Sequence, residues 1–170
     1  MSVILGLDPG SQFTGYGVVK YQEDQVLHVG HGVLAIPRQL KFAEKLNYLA
    51  QGLNQLFERY QPTDIVVEKV FLGKNVDSAF KLGHVRGICL QQAALAGAQT
   101  YEYAARSVKK AVTGHGGASK DQVHLLVTNL LKIKTDAKFD ATDALALAIC
   151  HARGVTTSRI LEMNLKRGIK

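Results

Sequence analysis

Short apolar runs broken by turn residues fill the first third of the chain, and helical periodicity dominates afterwards. Residues 3–7 are apolar and stop at Asp8-Pro9-Gly10, the pattern of a buried strand followed by a turn. Residues 14–20 and 25–36, rich in Val, Leu and Tyr, flank Glu23-Asp24 and predict an antiparallel pair. Over residues 41–60, Phe42, Leu46, Leu49, Leu53 and Leu56 recur at spacings of three and four, which predicts an amphipathic helix ended by Pro62. A second short apolar strand covers 64–67 and leads into Glu68. An unusually apolar helix is expected over 76–97, a brief strand over 100–103, and helices over 104–112, 120–131 and 140–153. This order predicts one α/β domain, residues 1–154, with a mixed central sheet flanked by helices. The basic, weakly patterned residues 155–170 are expected to form a mobile tail.

Composition supports a single folded unit. A chain of 170 residues with 46% hydrophobic content buries enough surface to fold without disulfides or a structural metal. The N-terminal apolar run has no basic residues before it and ends at Asp8, so it fails as a secretion signal. No stretch approaches the roughly 20 apolar residues of a membrane span. Cys89 and Cys150 stand alone in apolar helical contexts and are expected to be buried free thiols, as suits a reducing cytoplasm. The net charge of +7 is unevenly spread: residues 66–134 carry 10 basic and 4 acidic side chains, while residues 1–65 carry 5 and 6. That bias fits a face that meets a polyanion, though charge alone does not separate this from a solvated surface.

Four acids change the picture. Asp8 and Glu68 each follow an apolar strand at its carboxyl end, where open α/β sheets place their ligands. If the two strands are adjacent and parallel, the acids lie side by side. Asp140 and Asp143, in FDATDALALAI, are three apart at a helix start and face one way. Converging carboxylates repel unless cations neutralise them, and oxygen-only clusters suit Mg²⁺ or Mn²⁺. Two such ions about 4 Å apart support phosphodiester hydrolysis. Each acid taken singly also has a plain role as a turn former, a helix cap or a dipole partner.

The stretches ILGLDPGSQFTGYGVV, VEKVFLGKNVDSAFKLGHVRG, YEYAARSVKKAVTGHGGASKDQV and FDATDALALAI resemble the four signatures of the RuvC family of crossover-junction endonucleases. They occur in the family's order over about residues 2–152. The resemblance implies an RNase H-like fold, a homodimer, and Mg²⁺-dependent hydrolysis with two ions per site, Mn²⁺ being a plausible substitute. It implies paired, symmetric nicks in opposed strands of four-way junction DNA during recombination and repair. It assigns Asp8, Glu68, Asp140 and Asp143 as metal ligands; some members carry histidine at the third position, where this chain has Asp140. It brings Phe71 to the junction centre as a stacking residue, with Gly73 and Lys74 completing a DNA-facing loop. Lys109 is expected at the phosphate backbone, and Lys120 close enough to the scissile phosphate to stabilise developing charge. Branch-migration partners of the RuvA and RuvB type are a further expectation from the family.

Two patterns mislead. GHGGASK looks like a phosphate-binding loop, but Lys120 follows Ser119, precedes Asp121 and has no leading strand. The DPGSQFTGYG turn also suits actin-like phosphotransferases, which need two such domains where 170 residues supply one. Gly15 and Gly17 instead suit a hairpin strand passing close to the site. In the apolar helix, Ala79, Gly83 and Gly87 form a stripe that could bring two subunits together or pack the helix on its own sheet. His115 and His124 are expected to be surface or packing residues.

Overall fold

The computed structural model describes residues 1–69, 75–134 and 139–167, with side chains described as far as Gly154. Strands β1 (Ser2–Asp8), β2 (Phe13–Gln22), β3 (Gln25–Ala35), β4 (Asp64–Lys69) and β5 (Gln99–Ala104) form one sheet in the order β3-β2-β1-β4-β5. β1 runs antiparallel to β2 and parallel to β4, and β5 is parallel to β4. The β2–β3 hairpin turns on Glu23 and Asp24, both at positive φ (51° and 61°), which matches the twist of the strands. The Tyr21 hydroxyl donates to Asp24 Oδ1 at 2.6 Å and holds that turn.

Alternation along the strands sends side chains to two separate cores. Leu5, Leu7, Val18, Ile65 and Val67 face α1 (Phe42–Tyr60) and α2 (Val76–Leu95). Ile4, Val19 and Val66 face α3 (Ala105–Thr113), α4 (Lys120–Leu131) and α5 (Phe139–Arg167). Of the α1 stripe read from the sequence, Leu49, Leu53 and Leu56 are buried and Leu46 partly so, while Phe42 at the first turn is exposed. Continuing the alternation puts Asp8 and Glu68 on the α5 face.

Helix α5 packs on the sheet at contact distance because glycines lie beneath it. A Cβ on Gly6 would stand 2.0 Å from the Ala144 carbonyl oxygen, one on Gly15 2.0 Å from that of Asp140, and one on Gly17 2.5 Å from the Leu145 nitrogen. Gly6 pairs with Gly17, and Gly15 pairs with Asp8. The start of α5 is therefore pinned above the end of β1.

Two boundaries differ from the pattern read in the sequence. β4 continues through Glu68 and Lys69 because β5 pairs with both, opposite Tyr103 and Ala104, so Glu68 lies within a strand. The last helix passes Arg153 and runs to Arg167. Gly154 costs a helix about 1 kcal/mol, too little to stop it where no proline follows. Both cysteines are buried free thiols.

Substituting Gly6 with Ala forces backbone against backbone, so we expect a stability loss of about 3 kcal/mol and a Tm lower by roughly 6–12 °C. Thermal denaturation followed by circular dichroism measures this; an unchanged Tm would mean α5 is not seated on the glycines.

Candidate active site

Asp8 is the last residue of β1, and parallel pairing of Leu7 with Val67 puts Glu68 at the neighbouring position of β4. The Asp8-Pro9-Gly10 loop is held by Thr14, fully buried, whose hydroxyl donates to the Gly10 carbonyl at 3.2 Å. Asp140 lies in the first turn of α5, above Gly15, and Asp143 follows three residues later on the same side of the helix. Asp8 thus lies within electrostatic reach of Glu68, Asp143 and Asp140, acids from three separate stretches of chain.

Their electrostatics show the crowding. Burial, the Glu68 charge and a hydrogen bond to Glu68 push the Asp8 carboxyl up to about 8, with Asp143 and Asp140 adding to the rise. Burial also raises Glu68; the hydrogen bond from Asp8 opposes this, Asp143 reinforces it, and the positive Lys120 and Lys109 lower it again. Asp8 therefore holds the proton of the pair and donates to Glu68. Lys120, the first residue of α4, extends to Asp143 with Nζ–Oδ2 at 3.1 Å, and that hydrogen bond raises its affinity for its proton. A Ser119–Gln122 capping box sets the start of α4.

In this arrangement a proton on Asp8 and the Lys120 ammonium do the work of counter-ions. Among the described residues, no three His, Cys, Asp or Glu side chains close on a common point. The donor set still fits a hard divalent cation: every group is a carboxylate, two share a proton, and a third is bound by a lysine that is 61% exposed. A cation held by these carboxylates would take over the charge neutralisation that the proton and the ammonium supply.

The remaining candidates divide. Lys109 on α3 lies within electrostatic reach of Glu68. Phe71 and Lys74 fall outside the described residues. On α2, Val85, Cys89, Gln92 and Ala93 face the core, so the Ala79–Gly83–Gly87 stripe does not pack on the sheet. A Cβ at Gly83 or Gly87 would meet nothing within 4 Å. Instead the stripe helps line an apolar groove of about 820 Å³ with Leu46, Val76, Phe80, His84 and Ile88, away from the acids. Sequence reasoning missed Gly6, Thr14 and Thr142, and set His124 aside. Of these only Gly6, a glycine inside a strand, carried a local signal.

A mixed sheet in this order, with acids at the ends of its central parallel pair and a helix laid across them, defines an RNase H-like domain of the nuclease type. The family model described as crossover junction endodeoxyribonuclease RuvC matches residues 4–151, and the chain belongs to that family. A relative of that name from Bdellovibrio bacteriovorus is 49% identical over 150 residues, covering 88% of this chain and 89% of that protein. Another from Pseudoalteromonas translucida is 46% identical, covering 89% and 87%. Among solved structures, Thermus thermophilus RuvC in complex with Holliday junction substrate superposes with a TM-score of 0.82 at 30% identity, covering 89% of this chain and 93% of that one.

The raised Asp8 has a stability consequence with a definite sign. Between the unfolded value near 3.8 and the folded value of about 8, the unfolded chain gives up a proton that the folded one keeps. Stability is therefore lost as pH rises through that window. Asp8→Asn keeps a donor towards Glu68 without the penalty, so in chelator its Tm should exceed wild type by roughly 2–6 °C at pH 8 and by much less near pH 4. Parallel melting curves across this range test it; a constant or reversed gap would refute the shared proton.

Proposed function

We propose that the chain resolves Holliday junctions by divalent-metal-assisted hydrolysis, with Asp8, Glu68, Asp140 and Asp143 holding Mg²⁺. The observation that supports this reading is the electrostatic coupling of Asp8 to Glu68, Asp143 and Asp140, which with burial pushes its carboxyl up to about 8. Family membership makes the chain a crossover junction endodeoxyribonuclease. The superposable relative was solved with a Holliday junction substrate, which supports the same substrate here.

Bound at the carboxylates, a pair of Mg²⁺ ions would supply charge neutralisation and a nucleophilic water for phosphodiester cleavage, with Mn²⁺ able to substitute. Asp8 and Glu68, set in adjacent strands, form the rigid side of the site. Asp140 and Asp143 form the other side, from the N-terminal end of a helix whose approach the glycines dictate. Lys120, with its exposed ammonium beside Asp143, would stabilise charge developing on the cleaved phosphate. Lys109 would contact the phosphate backbone nearby, and Phe71 and Lys74 are assigned to contact the junction.

Paired nicks in opposed strands call for two active sites related by a two-fold axis, so we assign a homodimer. The groove on α2 supports this, because Val76 and Phe80 are each 66% exposed beside two bare glycines. The same reading takes residues 1–154 as the nuclease domain and 155–170 as its appendage. It sets the protein in the cytoplasm, working in recombination and repair with branch-migration proteins of the RuvA and RuvB type.

With Mg²⁺ and a synthetic four-way junction, Asp8→Asn should lower the nicking rate by about a thousandfold or more while junction affinity persists. Full activity of that variant would end the assignment. Sedimentation should show a dimer at micromolar concentration that Gly83→Glu converts to monomer, and a monomeric wild type would overturn the two-fold assembly.

A further inference from the structure

We propose that His124 is a positioning residue for Asp140 and Asp143 at the N-terminal end of α5, acting through the buried hydroxyl of Thr142. The inference rests on the metal-binding reading above and concerns what keeps that end in place when a cation arrives.

Thr142 sits between Asp140 and Asp143 and is fully buried, so its hydroxyl needs partners. It donates to the Phe139 carbonyl at 2.9 Å. A hydroxyl has a single proton. The 3.2 Å contact between His124 Nδ1 and Thr142 Oγ1 must therefore be the ring N–H donating to the oxygen. The imidazole also meets the Phe139 ring edge-on, with centroids 5.6 Å apart at 74°. His124 thus grips α5 at Phe139 and Thr142, residues that adjoin Asp140 and Asp143.

One turn earlier on the same face of α4, Lys120 makes the second contact with this end of α5, its ion pair to Asp143. The two contacts have different fates. The lysine is 61% exposed and competes with a cation for the same carboxylate, so it lets go when the site fills. The relay from His124 through Thr142 to Phe139 uses no carboxylate and survives. It keeps Asp140 and Asp143 facing Asp8 and Glu68 after the ion pair is gone, as groups behind metal ligands do elsewhere.

Mn²⁺ titration calorimetry on chelator-stripped protein tests this without relying on cleavage. His124→Ala and Thr142→Val should each weaken Mn²⁺ binding about tenfold, and the double variant no further. His124→Asn, which keeps an N–H near the Nδ1 position, should restore affinity to within about threefold of wild type. Metal-free junction binding should be unchanged in all of them. Wild-type Mn²⁺ affinity in His124→Ala, additive losses in the double variant, or no rescue by Asn would overturn the proposal. Should His124→Ala fail to fold, Thr142→Val against His124→Asn decides by the same criterion. A wild-type protein that binds no Mn²⁺ refutes the metal reading itself, and this proposal with it.

Discussion

Helix α5 meets β1 and β2 backbone against backbone at the glycines as well as through its buried side chains, and the position of its acids follows from that contact. Gly6, Gly15 and Gly17 leave a strip of bare sheet across β1 and β2 on which the helix lies. A helix packed through ordinary side chains stands about 10 Å from its neighbour. Removing them lowers α5 until its carbonyls touch the strands. Its first turn then sits over the Asp8–Gly15 pair, and acids from opposite ends of the chain come into one electrostatic neighbourhood. The buried alanines of α5, Ala141, Ala144 and Ala148, serve the same close approach from the helix side.

The site bought by this packing is unfavourable to the protein alone. Asp8 and Glu68 lie on neighbouring strands, half-buried, with Asp143 near both. Without a cation the fold responds in two ways, protonating Asp8 and borrowing Lys120. Both responses are reversible, since a proton leaves and an exposed ammonium swings away. The proton on Asp8 and the ion pair of Lys120 offset part of the carboxylate repulsion, and the remainder is local chemistry that opposes stability.

The surroundings divide the labour. α1 and α2 seal one face of the sheet with Leu49, Leu53, Val85 and Cys89, leaving the outer stripe of α2 apolar and bare. α3 and α4 cover the other face and bring Lys109 and Lys120 to the acids. Two of the basic residues of the middle of the chain, Lys109 and Lys120, are thus set beside the carboxylates. A negatively charged backbone can approach a site that would otherwise repel it.

Much of this was legible one segment at a time. Alternation and three-to-four spacing depend only on neighbours along the chain, so β1, β2, α1 and α4 emerged close to their observed limits. The four acids stood out because each ends an apolar strand or opens a helix. Glu68 seemed to follow its strand only because Lys69 breaks the apolar run; pairing with β5, a distant partner, decides that β4 continues. The continuation of α5 past Gly154 was hidden for the opposite reason, since a weak local breaker was taken as an end. His124 and Thr142 gave no signal, because a histidine and a threonine on separate helices mean nothing until the helices touch. By itself the sequence determined which elements form and which acids are available, because both are written in local pattern and residue type. Tertiary structure alone decided that the acids meet, that Asp8 keeps a proton, that Lys120 finds Asp143 and which stripe of α2 faces outward. Those outcomes are set by distances between residues far apart in the chain, and no local pattern encodes a distance.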